Sequence, residues 1–421
     1  MGARNDELLE RYQRSVMGVF GLPPLVLSHG SGCHVWDVDG NRYLDLVGGI
    51  AVNALGHGHP ALVAAISKQA GEAIHVSNLF TSEGQIALAE RLVALAGAPE
   101  GSAVFFANSG AEAIEAAIKL SRRTGRSGIV AAEGAFHGRT TGALALTHKL
   151  AYREPFEPLI PGVTHVPFGD EAALRAAVTS DTAAVVLEPV QGEAGVLSPG
   201  TAYLRLAREL THQHGALLVL DEIQTGIGRT GSWFAFQQAG VLPDAITLAK
   251  GLGGGVPIGA LVAFGPEVAG LLTAGQHGST FGGNPLAAAA GLAVLDTIEE
   301  QGLLAHAAEA GQHLVDSVTA LGHPLVAEVR GAGLLRAIVL TQPVAAQVAA
   351  LAREAGFIVN PVAPDALRLA PPLVVTTDEL DSFVHALPAL LDAASAAAVP
   401  DAPTPATTSA TPHEPTPEDA S

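Results

Sequence analysis

The chain has 421 residues, 48% of them apolar, which is enough for a large core and a second, smaller domain. A formal net charge of −19 argues against a nucleic-acid groove and against anionic membrane surfaces as partners. The single cysteine, Cys33, excludes an internal disulfide framework and fits a reducing compartment. No apolar run has membrane-spanning length and no apolar signal core follows Met1, so a cytoplasmic protein is expected.

Abundant Gly and Ala with short Leu/Val runs point to the α/β class. Residues 5–20 pattern as an amphipathic helix with Leu8, Leu9, Tyr12, Val16 and Val19 on one side, stopped by Pro23 and Pro24. His34 to Asp45 reads as a hairpin turned by Asp39-Gly40. In Gly56-His57-Gly58-His59-Pro60 the two histidines suit a turn better than a metal, and no metal is expected. Helices follow from Ala61 and from Ser82 to Ala96.

Ala103–Ala107 reads as a strand, and Asn108-Ser109-Gly110 turns it into a helix from Ala111 to about Arg123. Glu112 and Glu115 near its start, and Lys119, Arg122 and Arg123 near its end, match the macrodipole. Ser109, Gly110 and Ala111 thus offer one hydroxyl and free backbone N–H groups at a helix N-terminus. Those donors serve equally to cap the helix or to hold a phosphate. Further strands are expected at Gly128–Glu133, Ala183–Glu188 and Ala216–Asp221, with a helix from about Ala202 to His214. Strands buried on both faces place functional groups at their carboxyl ends, at the crevice of an open parallel sheet. Asp221, at such an end, needs a cationic partner.

Ala245–Ala249 reads as a buried strand that delivers Lys250 to the turn Gly251-Leu252-Gly253-Gly254-Gly255. A partly desolvated lysine there can attack a carbonyl and form a Schiff base, while glycines let a ligand approach the backbone. Of the four lysines, Lys68 and Lys119 sit in helical patterns and Lys149 in a polar connection, so Lys250 alone follows a buried strand. A phosphate loop would need Gly-Lys-Ser/Thr, where this run has Ala-Lys-Gly. A dinucleotide fold would need Gly-x-Gly-x-x-Gly to open a helix, but Val256-Pro257-Ile258-Gly259 leads into another apolar strand, Ala260–Phe264. Helices at Ala287–Glu300 and Leu303–Leu321 come next, then short strands near 326–329, 333–340 and 367–369 and a helix from Asp378 to Ala393. Together they read as a smaller α+β domain. The expected organisation is an N-terminal segment (1–50) joining the small domain, a large domain (51–290) and a small domain (291–393). An acidic Pro/Ala/Thr tail (394–421), too polar to order itself, completes it.

Eight motifs occur in one order: Asn53-Ala-Leu-Gly-His57, Phe106-Ala-Asn-Ser-Gly-Ala-Glu-Ala113, Phe136-His-Gly-Arg-Thr140, Glu188-Pro-Val-Gln-Gly-Glu193, Asp221-Glu-Ile-Gln-Thr-Gly226, Leu248 to Gly255, Ser279-Thr-Phe-Gly-Gly-Asn-Pro285 and Arg368-Leu-Ala-Pro-Pro-Leu373. In these the chain resembles the class III pyridoxal-phosphate aminotransferases, most closely the acetylornithine aminotransferases, from about Pro24 to Val375. The resemblance implies fold type I, with a mostly parallel sheet in the large domain, and pyridoxal 5'-phosphate as cofactor. It implies that Lys250 bonds the cofactor covalently and moves the proton, and that Asp221 faces the pyridine nitrogen. Gln224 would reach the phenolic oxygen, Phe136 and Ile223 the two ring faces, and Ser109, Gly110, Ala111 and Thr280 the phosphate. Arg139, Arg368, Glu193 and Ser279 would handle substrate, with the arginines on carboxylates. Glu188 would fix local geometry. Thr280 would come from the neighbouring subunit, making a homodimer with shared sites.

The implied reaction moves the δ-amino group of N2-acetyl-L-ornithine to 2-oxoglutarate. Succinylornithine, free ornithine, 4-aminobutyrate or N-succinyl-diaminopimelate are alternative donors, and a non-catalytic cofactor-binding protein is the reading from another class. Phe20 and Ile50 stand where ornithine-specific relatives carry tyrosines, which favours an acylated α-nitrogen. Arg336 departs from the family's pattern in a stretch expected to lie off the site.

Overall fold

The computed structural model describes residues 2–398. Its central element follows from the apolar runs: Ala103–Ala107, Gly128–Ala132, Val163–Val166, Thr182–Leu187, Leu217–Asp221, Ala245–Leu248 and Gly259–Ala263 form a seven-stranded sheet among the described residues. Gly259–Ala263 runs antiparallel to both of its neighbours, Ala103–Ala107 and Ala245–Leu248. The other neighbouring pairs are parallel. Side chains alternate between two buried faces. Val185, Leu187, Leu218, Leu220 and Ile246 enter one apolar layer, and Ala184, Val186, Val219 and Ala245 the other. That is why these strands lack a polar alternation. Each fully buried Val or Leu contributes roughly 1.5–3 kcal/mol, so the layers hold the sheet's carboxyl edge rigid. Ser109, Glu188, Asp221 and Lys250 all sit at or just past strand ends on that edge.

A second sheet carries Val326–Ala332, Leu335–Leu340, Ala366–Leu369 and Asn360–Ala363, in that spatial order and antiparallel throughout. The helices Leu303–Ala320, Ala345–Glu354 and Thr377–Ala398 accompany it. A third sheet holds Leu27–Ser31, His34–Asp37 and Arg42–Asp45, and Phe357–Ile358 joins it parallel to Arg42–Asp45. The expected boundary at residue 290 falls inside the helix Pro285–Glu300, where Gly291 lies against Leu88 of the large domain's helix Glu83–Leu95. Of the acidic tail, residues 394–398 continue the last helix, and the remainder lies outside the described residues.

Some local expectations need correction. The first helix spans Ala3–Ser15, ends with Val16 extended, and is followed by a short turn Gly18–Phe20. Val16 and Val19 are 46% and 73% exposed, so only Leu9 of that stripe enters a core. Periodicity shows that a stripe wants cover, and among the described residues nothing covers its distal end. Leu27–Ser31, Val163–Val166, Asn360–Ala363 and the helix Ala345–Glu354 were not legible from pattern. Leu27–Ser31 is Leu-Ser-His-Gly-Ser, with almost no β-formers. His57 Nε2 lies 2.9 Å from Asp45 Oδ2. Among the described residues no helix is long and apolar enough to cross a membrane.

Candidate active site

A cavity of about 450 Å³ opens at the sheet's carboxyl edge. Lys250 lines it at the start of the turn Lys250–Gly253. Its φ of 45° is in the left-handed region, where a non-glycine residue is held at a cost of about 1–3 kcal/mol. Burial pushes the amine's pKa below its ordinary value, and Arg368 adds to this, while Glu193, Asp221 and Glu188 oppose it. The result is a lysine with a raised share of neutral, nucleophilic amine.

Asp221 is 3% exposed and fully engaged. Oδ1 accepts from the Ile223 N–H (3.1 Å) and the Thr247 hydroxyl (3.0 Å), and Oδ2 lies 2.7 Å from His137 Nδ1. Burial alone would push the His137 pKa down; the hydrogen bond and charge of Asp221, with the charge of Glu188, outweigh it and raise it. The buried Nε2 of His137 has no partner among the described residues. Sequence reasoning gave His137 no role, because its contact with Asp221 spans 84 positions and only its place beside Phe136 hinted at it. Glu188 Oε2 accepts from the Phe136 N–H (3.1 Å). Burial pushes the Glu188 carboxyl up to about 8.

Ser109 Oγ accepts from the Glu112 N–H (3.2 Å) as the cap of the helix Gly110–Arg122. The N–H groups of Gly110 and Ala111 belong to its first turn, where backbone donors lack intrahelical acceptors. Packing here excludes larger residues: a Cβ on Gly110 would lie 2.7 Å from Ile223 Cδ1. Phe136, Ile223 and Gln224 also line the cavity. The arrangement suits a planar, phosphorylated aromatic aldehyde. It combines anion donors at one end, two apolar side chains, a carboxylate for a ring nitrogen and, for the carbonyl, an amine whose pKa burial lowers.

Arg368, 1% exposed, approaches from the strand Ala366–Leu369 of the second sheet. It is ion-paired with Glu193, donates from Nη1 to Gln224 Oε1 (3.1 Å) and from Nη2 to Asn360 Oδ1 (2.8 Å), and its Nε has no partner among the described residues. Burial would raise the Glu193 pKa, but the charge and hydrogen bond of Arg368 outweigh it, with help from Lys250 and Gln224, and hold it below the ordinary value. Gly192 leaves room for the Gln224 amide, since a Cβ there would lie 1.8 Å from Gln224 Oε1 in its present position. Arg139, also on the lining, stacks its guanidinium 3.5 Å from the centre of the Tyr152 ring, a support that sequence reasoning missed.

Two expected site residues lie elsewhere in this chain. Ser279 Oγ accepts from Asn108 Nδ2 (3.0 Å) and the Gly282 N–H (3.1 Å), and Thr280 is exposed. Both line a separate pocket with Asn108, Glu112 and Glu115. Of the residues that departed from the family pattern, Phe20 is 88% exposed and Ile50 sits at φ 65°. Arg336 closes the turn of its own hairpin by donating to the carbonyls of Gly331 (2.7 Å) and Gly333 (2.9 Å).

Fold and cavity together define a cofactor-dependent transferase, and the chain belongs to the class III aminotransferases, a pyridoxal-phosphate-dependent family whose model matches residues 19–391. It is 58% identical to the acetylornithine aminotransferase of Streptomyces coelicolor over 392 residues, 93% of this chain and 97% of that protein. Among solved structures it is similar to the N-acetylornithine aminotransferase of Stenotrophomonas maltophilia K279a (TM-score 0.79, 39% identity, 90% of this chain and 99% of that one). It is also similar to an ornithine aminotransferase of Toxoplasma gondii that has pyridoxal phosphate at partial occupancy in its active site (TM-score 0.87, 30% identity, 93% and 96% covered).

Proposed function

We propose that the protein transfers the δ-amino group of N2-acetyl-L-ornithine to 2-oxoglutarate, giving N-acetyl-L-glutamate 5-semialdehyde and L-glutamate in cytoplasmic arginine biosynthesis. Relatives bearing the acetylornithine aminotransferase name support the donor. The single observation in this chain that carries the reading is the buried arginine Arg368, masked by Glu193 beside Lys250.

Pyridoxal phosphate, when bound, supplies the carbonyl that takes up the amino group and a pyridinium ring that delocalises the electrons of the broken C–H bond. Ser109, Gly110 and Ala111 would hold its phosphate, joined by Thr280 of the partner subunit. Phe136 and Ile223 would cover the ring faces, and Gln224 would meet the phenolic oxygen. Asp221 keeps a proton on the ring nitrogen, itself held by His137, Thr247 and the Ile223 N–H. The neutral amine of Lys250 removes the proton from the reacting carbon and returns it.

Both substrates present a far carboxylate to Arg139. The two differ at the reacting carbon. Glutamate has a carboxylate there, which Arg368 binds; acetylornithine has none, and an unpaired buried guanidinium would be costly. Glu193 pairs with Arg368 while the donor reacts, and swings off when glutamate or 2-oxoglutarate enters. The chain acts as a homodimer with shared sites. Thr280 is exposed, and so are apolar side chains near it in sequence or fold: Phe281 (58%), Leu79 (87%) and Phe80 (72%). Asn78 ties the Leu79–Phe80 segment to this loop by donating to the Ser279 carbonyl (2.9 Å). An apolar surface of this kind suits a second copy.

A panel of amino donors with 2-oxoglutarate as acceptor tests the reading. The expected result is the highest kcat/KM for N2-acetylornithine. Preference for free ornithine or 4-aminobutyrate would overturn it.

A further inference from the structure

Glu193 can mask and release Arg368 reproducibly only if its loop holds still while its side chain moves. The loop is closed at its base by Gln191 and Leu197, which exchange N–H···O bonds of 2.8 and 3.1 Å. Between them Gly195 has φ 95° and Val196 φ 58°. The second value is one that a β-branched residue rarely adopts, yet Val196 is 1% exposed and cannot relax outward. The contact that meets this segment from outside is Arg330. Its Nε donates to the Gly195 carbonyl (2.8 Å), while Nη1 donates to Glu328 Oε1 (3.3 Å). The approach is close: a Cβ on Gly195 would lie 2.9 Å from Arg330 Nη2, and one on Gly331 would lie 2.8 Å from Val196 Cγ1.

Strand register shows what this contact fastens the loop to. Arg330 pairs with Ala337, Ala337 with Arg368, and Arg368 with Asn360. Directly opposed residues project from one face of a sheet, with strands about 4.8 Å apart, so Arg330 and Arg368 rise from the same face about 10 Å apart. The fully buried Ala337 stands between them and fills little of that space. The loop bridges the two arginines, with the Gly195 carbonyl on one and the Glu193 carboxylate on the other.

We propose that Arg330 is the positioning residue of the Glu193 switch. It ties the loop's backbone to the sheet row that carries Arg368, so that the carboxylate leaves and regains Arg368 by side-chain rotation alone. This rests on the assignment of Glu193 as the mask. An ordinary structural staple would affect both substrates alike; a tether acting through Glu193 affects the one that needs the mask.

The test compares Arg330→Gln, Arg330→Lys, Glu193→Gln and the double variant Arg330→Gln/Glu193→Gln as holoenzymes. Each half-reaction is followed by single-turnover absorbance, and binding of glutarate, an unreactive dicarboxylate, by calorimetry. Arg330→Gln should slow the N2-acetylornithine half-reaction about tenfold, change the glutamate half-reaction less than about threefold and tighten glutarate several-fold, because Arg368 is masked less. Arg330→Lys, which keeps a donor for the Gly195 carbonyl, should restore most of the donor rate and guards against a Gln variant that folds poorly. The double variant should be no slower than Glu193→Gln alone. Equal slowing of both half-reactions by Arg330→Gln with unchanged glutarate affinity, or an additive double variant, would overturn the tether while a selective Glu193→Gln leaves the mask standing. A Glu193→Gln that slows both substrates alike overturns the mask, and the tether with it.

Discussion

Replacing Glu193 with Gln keeps the side chain's shape and removes its charge, which isolates what the charge does for Arg368. Breaking a wholly buried pair by losing one partner costs about 3–5 kcal/mol. Two features of the site reduce that. The Glu193 side chain is 34% exposed, so water already screens it, and Arg368 keeps the neutral acceptors Gln224 Oε1 and Asn360 Oδ1. About 1–2 kcal/mol remains, which corresponds to roughly 5–30-fold in rate. That loss should fall on the N2-acetylornithine half-reaction, where nothing replaces the missing carboxylate. Glutamate brings its own carboxylate to Arg368 and should react within about threefold of the wild-type rate. Single-turnover absorbance on each substrate measures both.

The pH dependence supplies a second check on the same pair. Glu193 has its pKa held below the ordinary carboxylate value of 4.5, so its contribution is fully present above that value and lost only as pH falls through the depressed one. The wild-type preference between the two half-reactions should therefore stay flat down to about pH 5. Equal slowing of both half-reactions by Glu193→Gln, or no slowing of either, would refute the mask.

Lys250→Ala should reduce multiple turnover by at least about a thousandfold while cofactor still binds non-covalently, as seen by absorbance; appreciable turnover would end the assignment of Lys250 as the proton carrier. Glu188→Gln should change the pH dependence of stability. With the folded pKa raised to about 8 from 4.5, the native carboxyl contributes stability below the unfolded value and loses it as pH rises through about 8. The melting temperature of Glu188→Gln relative to wild type should thus rise from about pH 4.5 to about pH 8 and level off above it, and a constant difference would show that burial does not raise the Glu188 pKa. Mixing inactive Lys250→Ala and Thr280→Trp subunits should restore activity through hybrid dimers with one intact site; verified exchange without recovery would place the whole site in one chain.

Much of the site was legible because its chemistry follows local order. Lys250 stands out since it is the one lysine after a buried strand, and Asp221 and Ser109 sit at a strand's end and a helix's start. Such positions share an edge in any open parallel sheet, so strand-then-turn order already implied that they converge. The N-terminal stripe shows the opposite limit. Its apolar period is real, yet Val16, Val19 and Phe20 end up exposed, because a period reports that a face is apolar and says nothing of what covers it.

The amino-acid sequence by itself determined most of the strand and helix runs, the family's motifs and the lysine, because each depends on residues within one turn or one strand of each other. Only the tertiary structure decided that His137 meets Asp221, that Tyr152 supports Arg139, and that Arg330, Ala337, Arg368 and Asn360 form one row. These contacts depend on strand register and on how one layer seats against another. A shift of one residue in pairing would turn a row's side chains to the other face of the sheet, and that register is chosen by the summed packing of distant segments.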